Sequence, residues 1–129
     1  MTRGVLLFAH GARDPRWAAP FEAVAARIRN LDPTVTVGLA YLELMTPTLA
    51  EAARRLVEAG CIAVDVVPLF LGSGGHVRND LPALLEPVAA AHRSVRWRIR
   101  PAIGEVGSVI DAMARAALEP PGGEQLDAR

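Results

Sequence analysis

Two histidines stand at the ends of apolar runs and next to glycine. His10 closes the run at residues 4–9 and precedes Gly11, and His76 follows the run at residues 66–71 through a glycine-rich loop. Short apolar runs of this kind are typical of strands that are buried on both faces. If the two runs are neighbouring parallel strands, both imidazoles lie at one edge of the sheet. Two facing imidazoles can hold a transition metal or transfer protons.

Glu43 is the third candidate ligand, because it ends the second strand-like segment at residues 35–42. By itself it is an ordinary carboxylate near a helix N-terminus, which the helix dipole favours. A carboxylate among apolar neighbours is costly, however, unless it is paired or bound to a metal. Together with the two histidines it forms a set of two imidazoles and one carboxylate. This set suits divalent iron, cobalt, nickel or zinc and leaves coordination positions open.

Charged residues cluster in the chain around both histidines. Arg13 and Arg16 follow the first histidine and Arg78 follows the second, with Asp14 and Asp80 as acidic neighbours. The arginines are suited to binding the carboxylates or phosphates of a substrate, although a surface ion-pair network explains them equally well. We predict that the two aspartates cap helices.

Composition excludes several function classes. The chain has 129 residues, which fits one domain, and a formal net charge of zero, which gives no overall attraction to nucleic acid. No apolar stretch approaches the ~20 residues of a membrane span, and we expect a cytoplasmic protein. All fourteen basic residues are arginine, so lysine Schiff-base chemistry and a P-loop lysine are excluded. Cys61 is the only cysteine, which excludes an intramolecular disulfide, and we predict that it is buried.

The elements that position these residues alternate between strand and helix four times. This order predicts a doubly wound, flavodoxin-like α/β domain with a parallel sheet of order 2-1-3-4 and helices on both faces. Strands 1 and 3 are then adjacent at the switch point, where such folds bind ligands. We expect one domain at residues 1–118 and a disordered tail at residues 119–129. The predicted strands are residues 5–9, 35–42, 62–67 and 95–99. The first predicted helix lies between Asp14-Pro15 and Asp32, and the second lies between Thr46-Pro47 and Gly60. The third helix is predicted to begin at Asp80, and the fourth to span residues 106–117.

Three further polar or aromatic residues are weaker candidates. Tyr41 could stack on a flat ligand, but its place in a strand makes packing the first expectation. His92 lies near a predicted helix C-terminus, where the helix dipole explains it. Asp65 interrupts the third strand, and we expect it to meet an arginine.

Three stretches carry a resemblance to a known family. Residues 6–15, residues 41–44 with 47–49, and residues 67–71 leading to 75–82 resemble the short form of the sirohydrochlorin chelatases, the class II metal chelatases. The resemblance implies a chelatase-like α/β fold that inserts Co²⁺ or Fe²⁺ into sirohydrochlorin for cobalamin or siroheme synthesis. The family usually has serine where this chain has Ala12, so a substrate hydrogen bond there is in doubt.

The resemblance also implies the site and the assembly. Metal contact is expected through the residues matching His10, Glu43 and His76. Arg13, Arg78 and Tyr41 are the expected tetrapyrrole contacts, since sirohydrochlorin is an octa-acid. The metal (Co²⁺, Fe²⁺ or Ni²⁺) is the substrate, and no organic cofactor is expected. Longer relatives carry two α/β halves, so a homodimer is expected to rebuild the pair.

Two alternatives remain open from the sequence. A histidine phosphatase also places histidine and glycine after its first strand, but it needs an arginine before that histidine, where this chain has Ala9. A metal or tetrapyrrole carrier would use the same ligands without turnover. Release of phosphate from a phosphomonoester would favour the first, and stoichiometric binding without catalysis the second.

Overall fold

The computed structural model describes residues 2–72, 75–120 and 122–126, and for residues 75–79 the backbone only. Two short 3-10 helices, Pro15–Ala18 and Ile103–Glu105, precede the first and the last of the α-helices. The strands are β1 (Thr2–Ala9), β2 (Val35–Tyr41), β3 (Cys61–Pro68) and β4 (Arg96–Ile99), and the helices are α1 (Ala19–Leu31), α2 (Leu49–Glu58), α3 (Gly75–Ala91) and α4 (Gly107–Leu118).

The four strands form one parallel sheet of order β2-β1-β3-β4, which confirms the predicted architecture. Leu7 of β1 pairs with Leu39 of β2 on one side and with Val67 of β3 on the other. The register continues to Ala9 beside Tyr41, so the carboxyl ends of the central strands lie at a common edge. Residues that follow β1 and β2 are therefore brought together.

Alternation along β1 divides the core between the two faces of the sheet. Leu6 and Phe8 pack with residues of α2 and α3, whereas Val5 and Leu7 pack with residues of α1. Cys61 is buried in the first of these clusters, as predicted, and burial raises the pKa of its thiol. The apolar runs thus form strands because both faces are covered.

The helix signals are confirmed in part. Asp14 caps the first helical segment by accepting a hydrogen bond from the Arg16 N–H at 2.9 Å, although the first turn is 3-10 rather than α. α2 is capped by Thr48, two residues after the predicted cap. Gly60 follows the end of this helix with a φ of 94°, a left-handed conformation that glycine adopts without strain.

The predicted start of the third helix was wrong. α3 begins at Gly75, so Asp80 is its sixth residue and does not cap it. The apolar periodicity begins only at Leu81, so a pattern defined by core-facing residues misses the polar turns before it. Asp80 therefore requires a different explanation.

Asp65 meets two arginines, as expected. On β3 it accepts hydrogen bonds from Arg98 Nε on β4 and from Arg3 Nη2 on β1, each at 2.9 Å. The Arg98 guanidinium, and after it that of Arg3, holds the pKa of the Asp65 carboxyl below its ordinary value, against the opposing effect of burial. The buried carboxylate thus ties three strands together.

The C-terminal part of the chain packs least. Within the described residues, α4 buries none of its side chains. Residues 122–126 are exposed and lie outside helices and strands, and the predicted disorder of the tail stays a prediction. None of the described helices has the length and apolar character needed to cross a membrane.

Candidate functional site

Backbone hydrogen bonds beyond the strand ends hold His10 next to Glu43. The Leu42 N–H donates to the Ala9 carbonyl at 2.9 Å, and the Glu43 N–H donates to the His10 carbonyl at 3.0 Å. The parallel pairing of β1 and β2 is thereby extended into the loops. Two residues that are 33 positions apart in the sequence become neighbours at the edge of the sheet.

Glycine at position 11 makes this approach possible. Gly11 has a φ of 98°, and a Cβ at this position would overlap the carbonyl oxygen of Glu43 and lie 3.0 Å from its carbonyl carbon. The next residue after Glu43, Leu44, adopts a φ of 65°, which is rare for a branched side chain. The turn that carries the carboxylate is therefore held against the turn that carries the imidazole.

His10 and Glu43 open into one cavity of about 360 Å³. The walls are mainly apolar, and the polar lining residues of the described chain are His10, Glu43 and Asp80. A concave apolar space with a few converging polar groups is the usual form of a small-molecule site. The apolar lining residues are Phe8, Leu42, Phe70, Leu81 and Leu84.

Phe70 fixes the wall behind the imidazole. Its ring lies edge-on to the His10 ring, with centroids 4.4 Å apart and an interplanar angle of 65°. Phe8 packs edge-on to Phe70 in turn, at 6.2 Å and 86°. Phe8 and Phe70 are both buried, so this aromatic chain connects the imidazole to the core.

His76 and Arg78 lie in the first turn of α3, but their side chains are outside the described residues. Position 76 precedes Asp80 by four residues, and residues four apart share one face of a helix. Asp80 itself lines the cavity, and the role of His76 as third ligand stays a prediction from the sequence. Within the described residues, no three His, Cys, Asp or Glu side chains form a metal-binding group.

The structure does not bring the other predicted contacts to the cavity. Arg13 is exposed in the loop after β1 and is absent from the described lining. Tyr41 is 4 % exposed and packs in a core cluster with Trp17, which favours packing over ligand contact. Arg16 forms a salt bridge with Asp14 at 2.8 Å, so this pair is the surface ion pair considered above.

A family model matches most of the chain. The family model CbiX matches residues 4–119. The chain belongs to the CbiX family. This match favours the chelatase prediction over the histidine phosphatase alternative.

Relatives of this family differ in length. The sirohydrochlorin cobaltochelatase of Methanopyrus kandleri is 35 % identical over 81 residues, which are 63 % of this chain and 57 % of that protein. The chain thus matches little more than half of this curated relative. The crystal structure of a CbiX protein from Marinobacter aquaeolei VT8 is 33 % identical with a TM-score of 0.78, and the match covers 91 % of this chain and 95 % of that one.

A longer neighbour shares the fold. The sirohydrochlorin chelatase SirB from Bacillus subtilis subspecies spizizenii, in complex with cobalt, is 24 % identical with a TM-score of 0.78. The match covers 91 % of this chain and 50 % of SirB. The fold of this chain therefore corresponds to one half of that protein.

Two cavity residues were missed from the sequence. Asp80 was interpreted as a helix cap, since aspartate before an apolar periodic run is a common cap signal. Phe70 belongs to an apolar run, and no sequence signal separates an aromatic ring beside a histidine from an ordinary core residue. Only the folded structure shows that Phe70 lies beside the His10 ring and that Asp80 lines the same cavity.

Proposed function

We propose that this protein inserts a divalent metal ion into sirohydrochlorin. One observation carries the proposal: His10 and Glu43, held together by a backbone hydrogen bond, line one cavity at the carboxyl edge of the sheet. Membership of the CbiX family and similarity to sirohydrochlorin cobaltochelatases support it. The position is also where doubly wound folds bind ligands.

The reaction exchanges two protons for one metal ion. Sirohydrochlorin loses two pyrrole N–H protons as M²⁺ binds the four ring nitrogens, so the site must deliver the metal and accept the protons. His10 and Glu43 offer nitrogen and oxygen ligands that bind the metal substrate without enclosing it. Imidazole and carboxylate groups also accept protons, so the same residues relay the pyrrole protons to solvent. We assign His76 as the third ligand on the helix register of α3.

The cavity walls suit the macrocycle. Leu42 is 42 % exposed and Leu84 is 42 % exposed, and both line the cavity, so they offer apolar contact to a flat tetrapyrrole. Binding a distorted ring better than a flat one would favour the transition state for insertion. The peripheral carboxylates suit arginine partners, and Arg13 and Arg78 are the candidates from the sequence, although Arg13 lies outside the described lining of the cavity.

The metal is Co²⁺, Fe²⁺ or Ni²⁺, and the product serves cobalamin or siroheme synthesis. Nitrogen and oxygen ligands accept all three ions, so the metal present in the cell selects among them. The cytoplasmic location is retained as a prediction from the sequence.

The test is an insertion assay that follows the absorbance of sirohydrochlorin with each metal in parallel. We expect catalysed insertion by the wild-type protein, and a loss of at least about tenfold in turnover at low metal for His10→Ala. His92→Ala is the matched control, since His92 lies at the other end of α3, with its ring centroid 6.3 Å from that of Trp97. Wild-type turnover in His10→Ala would refute the assignment. Stoichiometric binding without acceleration would identify a carrier.

We also propose that the protein works as a homodimer. The fold corresponds to half of the longer chelatase SirB, so a second copy supplies the other half. A sizing measurement that finds only monomer at working concentration would refute this.

A further inference from the structure

One residue of the turn beside the cavity has an unfavourable backbone conformation. Leu44 has a φ of 65°, and among the described residues it is the one residue other than glycine with a positive φ. A Cβ makes the left-handed region costly, so glycine is the usual choice there. The glycines with a positive φ in the described chain are Gly11, Gly60 and Gly123. A leucine at position 44 therefore needs a reason that the backbone does not supply.

Packing within the chain does not supply that reason either. Leu44 is 61 % exposed. The next residue, Met45, packs against a core cluster that contains Ala18 and Tyr41, whereas Leu44 belongs to none of the core clusters of the described residues. An unfavourable conformation at the edge of a site often serves the function of that site. An exposed leucine in this conformation is therefore expected to bury its side chain against a ligand.

Hydrogen bonds hold the turn of Leu44 next to the cavity. Glu43 precedes Leu44 and lines the cavity, and its N–H donates to the His10 carbonyl at 3.0 Å. The Tyr41 N–H donates to the Pro47 carbonyl, also at 3.0 Å, which closes the base of the loop. Adjacent Cα atoms lie about 3.8 Å apart, so Leu44 borders the cavity although it is not among the described lining residues.

The proposed substrate is larger than the cavity. Sirohydrochlorin is a tetrapyrrole with eight acid groups, whereas pockets of about 300–1,000 Å³ already serve drug-sized ligands. With about 360 Å³, this cavity lies at the low end of that range, so part of the macrocycle must rest on the surface around the mouth. Leu42 and Leu84 line the cavity and are each 42 % exposed. Leu44, two residues after Leu42, adds a further exposed apolar side chain.

We propose that Leu44 is a substrate-binding residue that contacts the part of the macrocycle lying outside the cavity. The inference rests on the proposed function and adds a residue that selects a broad, flat ligand over a small one that fits inside. Covering the 61 % exposed fraction of a leucine corresponds to about five- to twentyfold in affinity. Because hydrogen bonds already fix the turn, little conformational entropy is lost when the substrate binds.

Two substitutions separate the side-chain contact from the backbone conformation. Leu44→Ala and Leu44→Gly both remove the apolar side chain, but only the alanine keeps the cost of the left-handed region, so Leu44→Gly should unfold about 4 °C higher than Leu44→Ala. Both variants should bind metal-free sirohydrochlorin about five- to tenfold more weakly than wild type, as measured by absorbance titration. Leu44→Met keeps an apolar side chain of similar volume and should bind within about twofold of wild type.

Leu31→Ala is the matched control. Leu31 is 84 % exposed and ends α1, which returns the chain from the carboxyl end of β1 to the amino end of β2, so it lies at the opposite edge of the sheet. Its replacement should leave sirohydrochlorin binding unchanged. In the insertion assay, Leu44→Ala and Leu44→Gly should raise KM for sirohydrochlorin and change kcat little, because the contact exists both before and during insertion.

Three outcomes are informative. Weaker sirohydrochlorin binding in Leu44→Ala, with normal binding in Leu44→Gly, would show that only the turn matters and would overturn the proposal. A loss of Co²⁺ affinity as large as the loss of sirohydrochlorin affinity would overturn it too, since the metal ligands would then have moved. A wild-type protein that binds sirohydrochlorin but inserts no metal would refute the proposed function, and the binding comparison would still decide the role of Leu44.

Discussion

Replacing Gly11 by alanine should displace Glu43 from His10. The new Cβ would overlap the Glu43 carbonyl oxygen, and Gly11 has a φ of 98°. Gly60→Ala provides the matched control, because Gly60 has a φ of 94° and a Cβ there meets no atom within 4 Å. Both variants carry the backbone penalty of a left-handed alanine, but only Gly11→Ala carries the overlap.

The expected energies differ accordingly. The left-handed conformation costs an alanine about 1–2 kcal/mol, so we expect Gly60→Ala to lose about that much free energy of unfolding. Gly11→Ala must also move the Glu43 backbone, which breaks the 3.0 Å bond from the Glu43 N–H to the His10 carbonyl. A lost hydrogen bond adds about 1 kcal/mol. The free energies of unfolding of the two variants should therefore differ by about 1 kcal/mol or more, which corresponds to about 4 °C in the unfolding midpoint.

Two measurements check this reasoning. Thermal unfolding gives the stability gap, and a Co²⁺ titration gives the effect on the site, where we expect Gly11→Ala to bind at least about tenfold more weakly and Gly60→Ala to bind normally. Equal stability loss and equal Co²⁺ affinity in the two variants would refute the contact between Gly11 and Glu43. Equal affinity alone would show that the turn relaxes without moving the carboxylate.

Two carboxylates give further predictions. Asp80→Asn removes one of the two acidic groups that line the described cavity, and the lost Coulomb attraction should weaken Co²⁺ binding by about five- to tenfold at low salt. Asp14→Asn is the control, because Asp14 lies outside the cavity and its loss should leave Co²⁺ affinity unchanged. Equal Co²⁺ affinities of the two variants would exclude Asp80 from the site. Asp65→Asn should cost about 1–2 kcal/mol at pH 7, since the arginines it binds are more than half exposed. Arg98 lowers the pKa of the Asp65 carboxyl from 3.8, so this stabilisation is present above that value and is lost as the pH falls through the lower folded-state pKa. The free energies of unfolding of wild type and Asp65→Asn, measured in urea, should therefore converge in acid. A difference between them that stays constant with pH would contradict this.

Local patterns in the sequence determined the fold to a large extent. Buried parallel strands are continuous apolar runs, and each crossover helix has its own apolar stripe, so element type and order follow from short-range information. Right-handed crossovers then leave few sheet orders, and the predicted order 2-1-3-4 is the observed one. The ends of elements without an apolar pattern, such as the start of α3, were not predictable in this way.

The proximity of His10 and Glu43 was a prediction from the strand order, but its physical basis appears only in the folded chain. The close approach of Gly11 to the Glu43 turn depends on two segments 32 residues apart and on a backbone conformation that no residue type encodes alone. The place of Asp80 in the cavity is likewise visible only in the folded chain. In the sequence, Asp80 gives the same signal as a helix cap such as Asp14.

The sequence by itself determined the strands, the helices, their order and the edge of the sheet at which the ligand candidates emerge. Each of these depends on local propensity and on the covalent path of the chain. Only the tertiary structure decided that Phe70 lies beside His10, that Asp80 shares their cavity, and that α4 keeps an uncovered apolar face. The physical reason is that such contacts depend on the packing of side chains from distant segments, which an apolar pattern does not specify.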